Sequence, residues 1–166
     1  MNQCNSLAKD DVLVHVGDLY SFKNDRNNVG GLKLPNEIIN NMKATFINIR
    51  GNHDLNNKVK SLCESMRTRL GKSILNVSVS HYPSYDKRAV GNFLKYDIHL
   101  CGHVHRKWKH CLDVDNHVLN INVGVDVWNY RIIEEDFLIR YINSVLQLPH
   151  DKLFKVKQEN GKIVKC

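Results

Sequence analysis

Residues 45–54, TFINIRGNHD, set a β-branched and aromatic run directly against a polar tip. Thr45, Phe46, Ile47 and Ile49 suit an extended strand, and Gly51 frees the backbone for an abrupt turn into Asn52, His53 and Asp54. The construction repeats on both sides. Residues 12–16, VLVHV, form a short strand expected to be buried, which ends at Gly17 and Asp18. Residues 73–80, SILNVSVS, alternate and end at His81; residues 98–101, IHLC, end at Gly102, His103, Val104 and His105; residues 118–123, VLNINV, end near Gly124. Each strand delivers polar residues at its carboxyl end.

Between the strands the apolar period changes. Val59, Leu62, Cys63, Met66 and Leu70 fall at helical intervals, so residues 57–70 are expected to form an amphipathic helix closed by Gly71. A short helix is expected over 35–43, entered at Pro35, and a longer one over 134–146 from the spacing of Phe137, Leu138, Tyr141, Ile142 and Val145. Residues 21–31 read as loop, and 153–166 as a hairpin turning at Glu159, Asn160 and Gly161. No repeat, low-complexity segment or linker interrupts the pattern, so residues 1–166 read as one α/β domain.

Composition narrows the function classes. A chain of 166 residues, 42% hydrophobic and 25% charged, buries about two thirds of its unfolded surface without a disulfide or metal, which excludes a disordered chain. No run approaches the roughly 18 apolar residues of a membrane span, and Asn2, Gln3, Cys4, Asn5 and Ser6 after Met1 make no apolar signal core. Five scattered cysteines without a CxxC pair argue against a disulfide framework or a thiolate zinc site and fit a reducing cytoplasm. The net charge of +7 suggests an anionic partner such as a nucleotide, nucleic acid or phosphate, but it is spread along the chain. The basic hairpin with Lys155, Lys157, Lys162 and Lys165 lacks the interleaved aromatics of a base-stacking platform and reads as a solvated face.

The strand tips carry the chemistry. Asp18, Asn52, His53, Asp54, His81, His103 and His105 mix carboxylate, amide and imidazole, which suits Mn, Fe, Ni or Zn better than calcium. Open α/β sheets place their ligand sites outside the carboxyl ends of strands, where residues far apart in sequence converge. The bland alternative, that turns favour Asn, Asp and Gly anyway, explains one tip but not four in succession.

In combination, Gly-Asp at 17–18, Gly-Asn-His-Asp at 51–54, His81 and Gly-His-Val-His at 102–105 resemble the calcineurin-like metallophosphoesterase superfamily, over about residues 11–130. Residues 124–130, GVDVWNY, resemble the end of the sheet in its small single-domain bacterial and phage members. The resemblance implies an αββα sandwich of two mixed sheets flanked by helices, and hydrolysis of a phosphomonoester or phosphodiester by metal-activated hydroxide. It implies Asp18 as a carboxylate bridging two metals, Asn52, His81 and His103 as ligands of the second metal, and His105 as a ligand of the first. It also implies His53 as general acid, with Asn52 and His53 meeting substrate and Asp54 hydrogen-bonded to the far nitrogen of the His53 ring.

One departure from the family pattern matters: no Asp-x-His precedes Asp18, and neither Asp11 nor His15 fits that place. The family's first strand is therefore expected to be missing, which leaves one or two metals per chain and an exposed sheet edge open to a second copy or a partner segment. Three readings follow: an active hydrolase, a catalytically impaired binding module on the same fold, or a truncated or split enzyme. A nucleic-acid-binding protein without chemistry has only the charge in its favour. Outside the motif, His15 and His99 read as strand or core histidines, and His110, His117 and His150 as surface residues. Tyr82 and Tyr85 read as aromatics capping a core edge in preference to lining a substrate pocket, Cys101 as a buried small hydrophobe, and Arg50 equally as a surface or a phosphate-facing residue.

Overall fold

The computed structural model describes residues 3–19, 39–54, 59–72, 75–91, 93–95, 97–160 and 162–166. Two strands, β1 (Val12–Val16) and β2 (Thr45–Ile49), pair in parallel with His15 opposite Asn48. Seven more form a mixed sheet: β3 (Ser65–Leu70), β4 (Leu75–Ser80), β5 (Ile98–Cys101), β6 (His110–Asp113), β7 (Val118–Asn122), β8 (Lys155–Glu159) and β9 (Lys162–Lys165). Their spatial order is β3-β4-β5-β7-β6-β8-β9, with β4, β5 and β7 parallel at the centre. The expected αββα arrangement is thus met at the coarser level of an α/β chain with two sheets.

Alternation sorts the side chains. Ile98 and Leu100 of β5 and Leu119 and Ile121 of β7 point to one face, where they meet Val77, Val79, Leu70 and the Leu138, Ile142 and Val145 stripe of α1 (Glu135–Leu146). Ile49 of β2 joins the same cluster, so the small sheet is tied to the large one, and a bridge from Ile49 to Cys63 continues the tie. On the other face, Tyr85, Cys101, Val104, Trp108, Cys111 and Val156 form a second core, and burial pushes the Cys111 thiol up to about 12. Cys101 and Tyr85 are therefore core residues, as the sequence suggested.

Two expectations are corrected. Residues 65–70 form strand β3 rather than the end of a 57–70 helix. Met66 and Leu70 suit either period, but Arg67 and Arg69 face solvent between Met66, Thr68 and Leu70, and pairing of Met66 with Val79 and Leu70 with Leu75 decides for the sheet. Gly71, at φ +59°, turns the β3–β4 connection instead of ending a helix. Strand β1 is not buried throughout: Val12 and Val14 are 58% and 39% exposed, because β2 is its sole partner among the described residues. The helix expected over 35–43 lies mostly outside the described residues, with helical backbone at 39–40. The helix at 134–146 and the C-terminal hairpin form as expected. No helix among the described residues is long and apolar enough to cross a membrane.

Candidate metal centre

Because β1 and β2 are parallel to each other, and β4, β5 and β7 likewise, their carboxyl tips form two sets. The sets meet through two glycines. A Cβ on Gly51 would stand 2.2 Å from the Asp18 backbone nitrogen, and one on Gly17, at φ +80°, would stand 2.7 Å from the Gly51 Cα and 2.5 Å from His81 Nδ1. Only bare backbone lets the two tips and the His81 ring approach this closely.

Asp54 locks the junction. Its buried carboxylate accepts hydrogen bonds from the backbone N–H groups of Gly51 (2.8 Å), Leu19 (3.0 Å) and Asp18 (3.2 Å), and from Asn48 Nδ2 (3.4 Å). Three converging N–H donors fix this carboxylate in place. Asn48 in turn accepts at Oδ1 from His15 Nδ1 (2.9 Å), which makes His15 the satisfied strand histidine the sequence suggested. In the opposite direction, the His53 backbone N–H donates to Asp18 Oδ1 at 2.8 Å.

At the centre lies His81, fully buried. Its Nδ1–H donates to the Val16 carbonyl at 2.9 Å, which turns Nε2 the other way. Around that nitrogen stand Asn52 Oδ1 at 3.0 Å, Asp18 Oδ2 at 3.2 Å and His103 Nδ1 at 3.2 Å. The ligand atoms of Asp18, His81 and His103 all lie within 4.8 Å of one another. Burial pushes the Asp18 carboxyl up, but hydrogen bonds from His81 and the His53 backbone outweigh it and hold the group below the usual carboxylate range. Burial, with His81 and Arg88 beside it, lowers His103 to about 4, so that ring is neutral at physiological pH. A carboxylate, an amide oxygen and two imidazoles facing one point fit a divalent cation of the Mn, Fe, Ni or Zn class.

Three of these residues sit in left-handed backbone: Asp18 at φ +58°, His103 at +61° and His105 at +49°. Such geometry costs about 1–2 kcal/mol for a residue with a Cβ and collects where side chains must be aimed. Aim differs between the two histidines of residues 102–105. His103 points into the cluster, whereas the His105 side chain is 80% exposed and its Nδ1 pairs with Asp126 Oδ2 at 2.8 Å. The structure therefore does not bring His105 to the Asp18 group. Asn122, fully buried, fixes this loop by donating to the carbonyls of His105 (2.7 Å) and Trp108 (2.8 Å).

Sequence reasoning missed Asp126, Asn122, Asp86 and Arg88. The last two follow His81 by several residues, and their Asp-x-Arg spacing, which lets one side chain grip the other, was the available signal. Tyr82 packs edge-on against both His81 and His103, so its place is at the centre rather than at a core edge. Arg50 pairs with Glu64 on the surface. His110 is not a simple surface residue: it is half-buried, with its Nδ1 2.7 Å from the Tyr141 hydroxyl. Compared with family models, curated proteins and solved structures, the chain matches none.

Proposed function

We propose that the chain is a metal-dependent phosphoesterase with a calcineurin-like metallophosphoesterase fold, acting on a phosphomonoester or phosphodiester, nucleotides and nucleic acids included. One observation carries the reading: Nε2 of buried His81 converges with a carboxylate, an amide oxygen and a second imidazole on one point, a donor set that suits a divalent cation. Asp18, Asn52, His81 and His103 would hold that cation. When bound, a divalent metal of this class supplies Lewis-acid polarisation of a phosphoryl oxygen and acidifies water.

The protein's own groups do the rest. Asp18 stays anionic at neutral pH and balances cationic charge at the site. The interlocked glycines and Asp54 keep the two sets of tips fixed, so that nothing has to reorganise when substrate arrives. His53, held at its backbone by Asp18, sits on the same tip as Asn52 and is the residue to protonate a leaving alkoxide. The net charge of +7 favours an anionic substrate, and the thiols suit a reducing cytoplasm.

A second reading, a metal-holding binding module without turnover, draws on His105, which is exposed and paired with Asp126. The two readings separate in one assay of aryl phosphomonoesters and diesters with Mn²⁺ or Ni²⁺, against a His53→Asn control. Turnover above the control supports the hydrolase. Metal bound without turnover selects the binding module, and absence of metal binding removes both.

A further inference from the structure

Tyr130 belongs to neither apolar core and is 61% exposed, yet both its ring and its backbone are held in place. Arg106 Nη2 donates to the Tyr130 hydroxyl, and Arg106 Cζ lies 5.8 Å from the ring centroid. Gln3 brackets the backbone: its Nε2 donates to the Tyr130 carbonyl at 3.2 Å, and its Oε1 accepts from the Ile132 N–H at 2.8 Å. The Tyr130 N–H donates in turn to the Val125 carbonyl at 2.9 Å. Asn129 and Tyr130 both take left-handed backbone, at φ +54° and +56°, which a bulky residue adopts rarely and at a cost. Nothing in the packing of the cores requires that cost. An open ring set in advance is a contact surface.

Charge around the ring is mostly of one sign. Arg106, Lys107, Lys109 and Arg131 are all exposed, while Asp126, the one acid in residues 103–112 and 124–132, is turned to His105. Lys109 Nζ stands 4.7 Å from the centroid of the Trp128 ring, which seats a second cation over an aromatic. Cations interleaved with an open aromatic ring suit a single strand: the charges follow its phosphates, and an unpaired base stacks on the ring. A duplex keeps its bases stacked on one another, and an acidic peptide meets the cations but leaves the ring unused.

We propose that this surface binds single-stranded nucleic acid: the Tyr130 ring stacks a base, and Arg106, Lys107, Lys109 and Arg131 meet the phosphates. Arg106 follows His103 by three residues, so a strand seated here lies along the loop that enters the candidate metal centre. What the bound strand is for, delivery of a phosphodiester to that centre, rests on the phosphoesterase reading above; the binding itself does not.

The test titrates the full chain into fluorescein-labelled oligo-dT and oligo-rU of about twelve nucleotides and reads anisotropy, in EDTA so that binding is measured apart from any metal chemistry. Wild type is expected to bind. Tyr130→Asn, whose new side chain tolerates left-handed backbone, should bind about tenfold more weakly, and Tyr130→Phe, which keeps the ring, within about threefold of wild type. An abasic strand of the same length should bind wild type about tenfold more weakly than oligo-dT does and should not distinguish it from Tyr130→Asn. The double variant Lys107→Met, Lys109→Met should flatten the slope of log Kd against log salt by about 1.4, about 0.7 for each phosphate contact. No binding by wild type, equal affinity of wild type and Tyr130→Asn for both oligonucleotides, or equal affinity of wild type for the abasic strand overturns the stacking surface, and an unchanged salt slope overturns the phosphate contacts. Such a failure leaves the phosphoesterase reading standing, because aryl esters need no strand-binding surface. Oligonucleotide binding without turnover of aryl esters overturns that reading and keeps the surface. Binding of either oligonucleotide in the expected pattern supports the proposal, and the tighter of the two names the sugar it prefers.

Discussion

His81, at the tip of β4, and His99, within β5, are both buried histidines, and their surroundings differ in kind. His99 Nε2 donates to the Tyr82 carbonyl at 2.9 Å and Nδ1 accepts from the Ser78 hydroxyl at 2.9 Å, so each nitrogen has a complementary partner. His81 Nδ1 is likewise satisfied by the Val16 carbonyl, but its Nε2 faces two oxygens and a ring nitrogen. An imidazole whose two nitrogens meet complementary groups is a core residue; one that converges with a carboxylate, an amide and a second imidazole is the arrangement on which the proposed metal centre rests. Burial alone does not tell them apart, and neither does histidine count. A second contrast lies along residues 102–105, where His103 enters the cluster and His105 leaves it for Asp126.

The close meeting of the tips around His81 is the feature to break first. Gly51→Ala places a carbon 2.2 Å from Asp18 backbone, so it should cost more than about 3 kcal/mol in urea denaturation. Gly124→Ala, on the His105 side, meets one Asn122 side-chain oxygen at 2.9 Å and should cost distinctly less, about 1 kcal/mol. Equal costs would remove the distinction between the two regions.

His99 gives the next largest effect. Burial lowers its pKa from 6.5 to about 4. Between those values the unfolded chain takes up a proton that the folded chain refuses. The stability from its neutral burial is therefore full above pH 6.5, falls as pH drops toward 4 and is exhausted below it, a loss of about 3 kcal/mol. Denaturation midpoints measured from pH 7 to pH 4 should follow this course, and His99→Asn should flatten it. A wild-type profile without that decline would mean that His99 is not the satisfied neutral ring described.

The smallest effect belongs to the exposed pair. Asp126→Asn frees His105 but should change stability by less than about 0.5 kcal/mol, as measured by thermal unfolding, because the contact is solvent-exposed. A larger loss would mark this side as part of the built site.

How much of this was legible in sequence follows from where each feature gets its cause. The strand tips were legible because a β-branched run ending in Gly and a polar cluster is a local signal, and parallel pairing then brings tips together without further information. Residues 65–70 misled because Met66 and Leu70, four apart, serve a helix and a strand equally; the alternation of Arg67 and Arg69 was the discriminating detail. Strand β6, four residues long, passed unnoticed because its Asp113 is buried only through partners elsewhere, Ser84 Oγ at 2.7 Å and Asn116 Nδ2 at 2.7 Å. The site was half legible. Residue types named the ligands, but that Asp54 gathers three backbone N–H groups, and that His105 turns outward, depends on which groups lie close in space. Arg88 was invisible for the same reason, since its tie to His103 exists only once the 82–88 loop folds over the tip.

The contrast between His103 and His105 gives the most direct test, because asparagine tolerates the left-handed backbone at both positions and each variant keeps its turn. Mn²⁺ titrated calorimetrically into wild type, His103→Asn and His105→Asn should bind the wild type, bind His103→Asn at least about 100-fold more weakly and bind His105→Asn within about threefold of wild type. Equal weakening by both substitutions, or a wild type that binds no Mn²⁺, would contradict a metal centre built on His81.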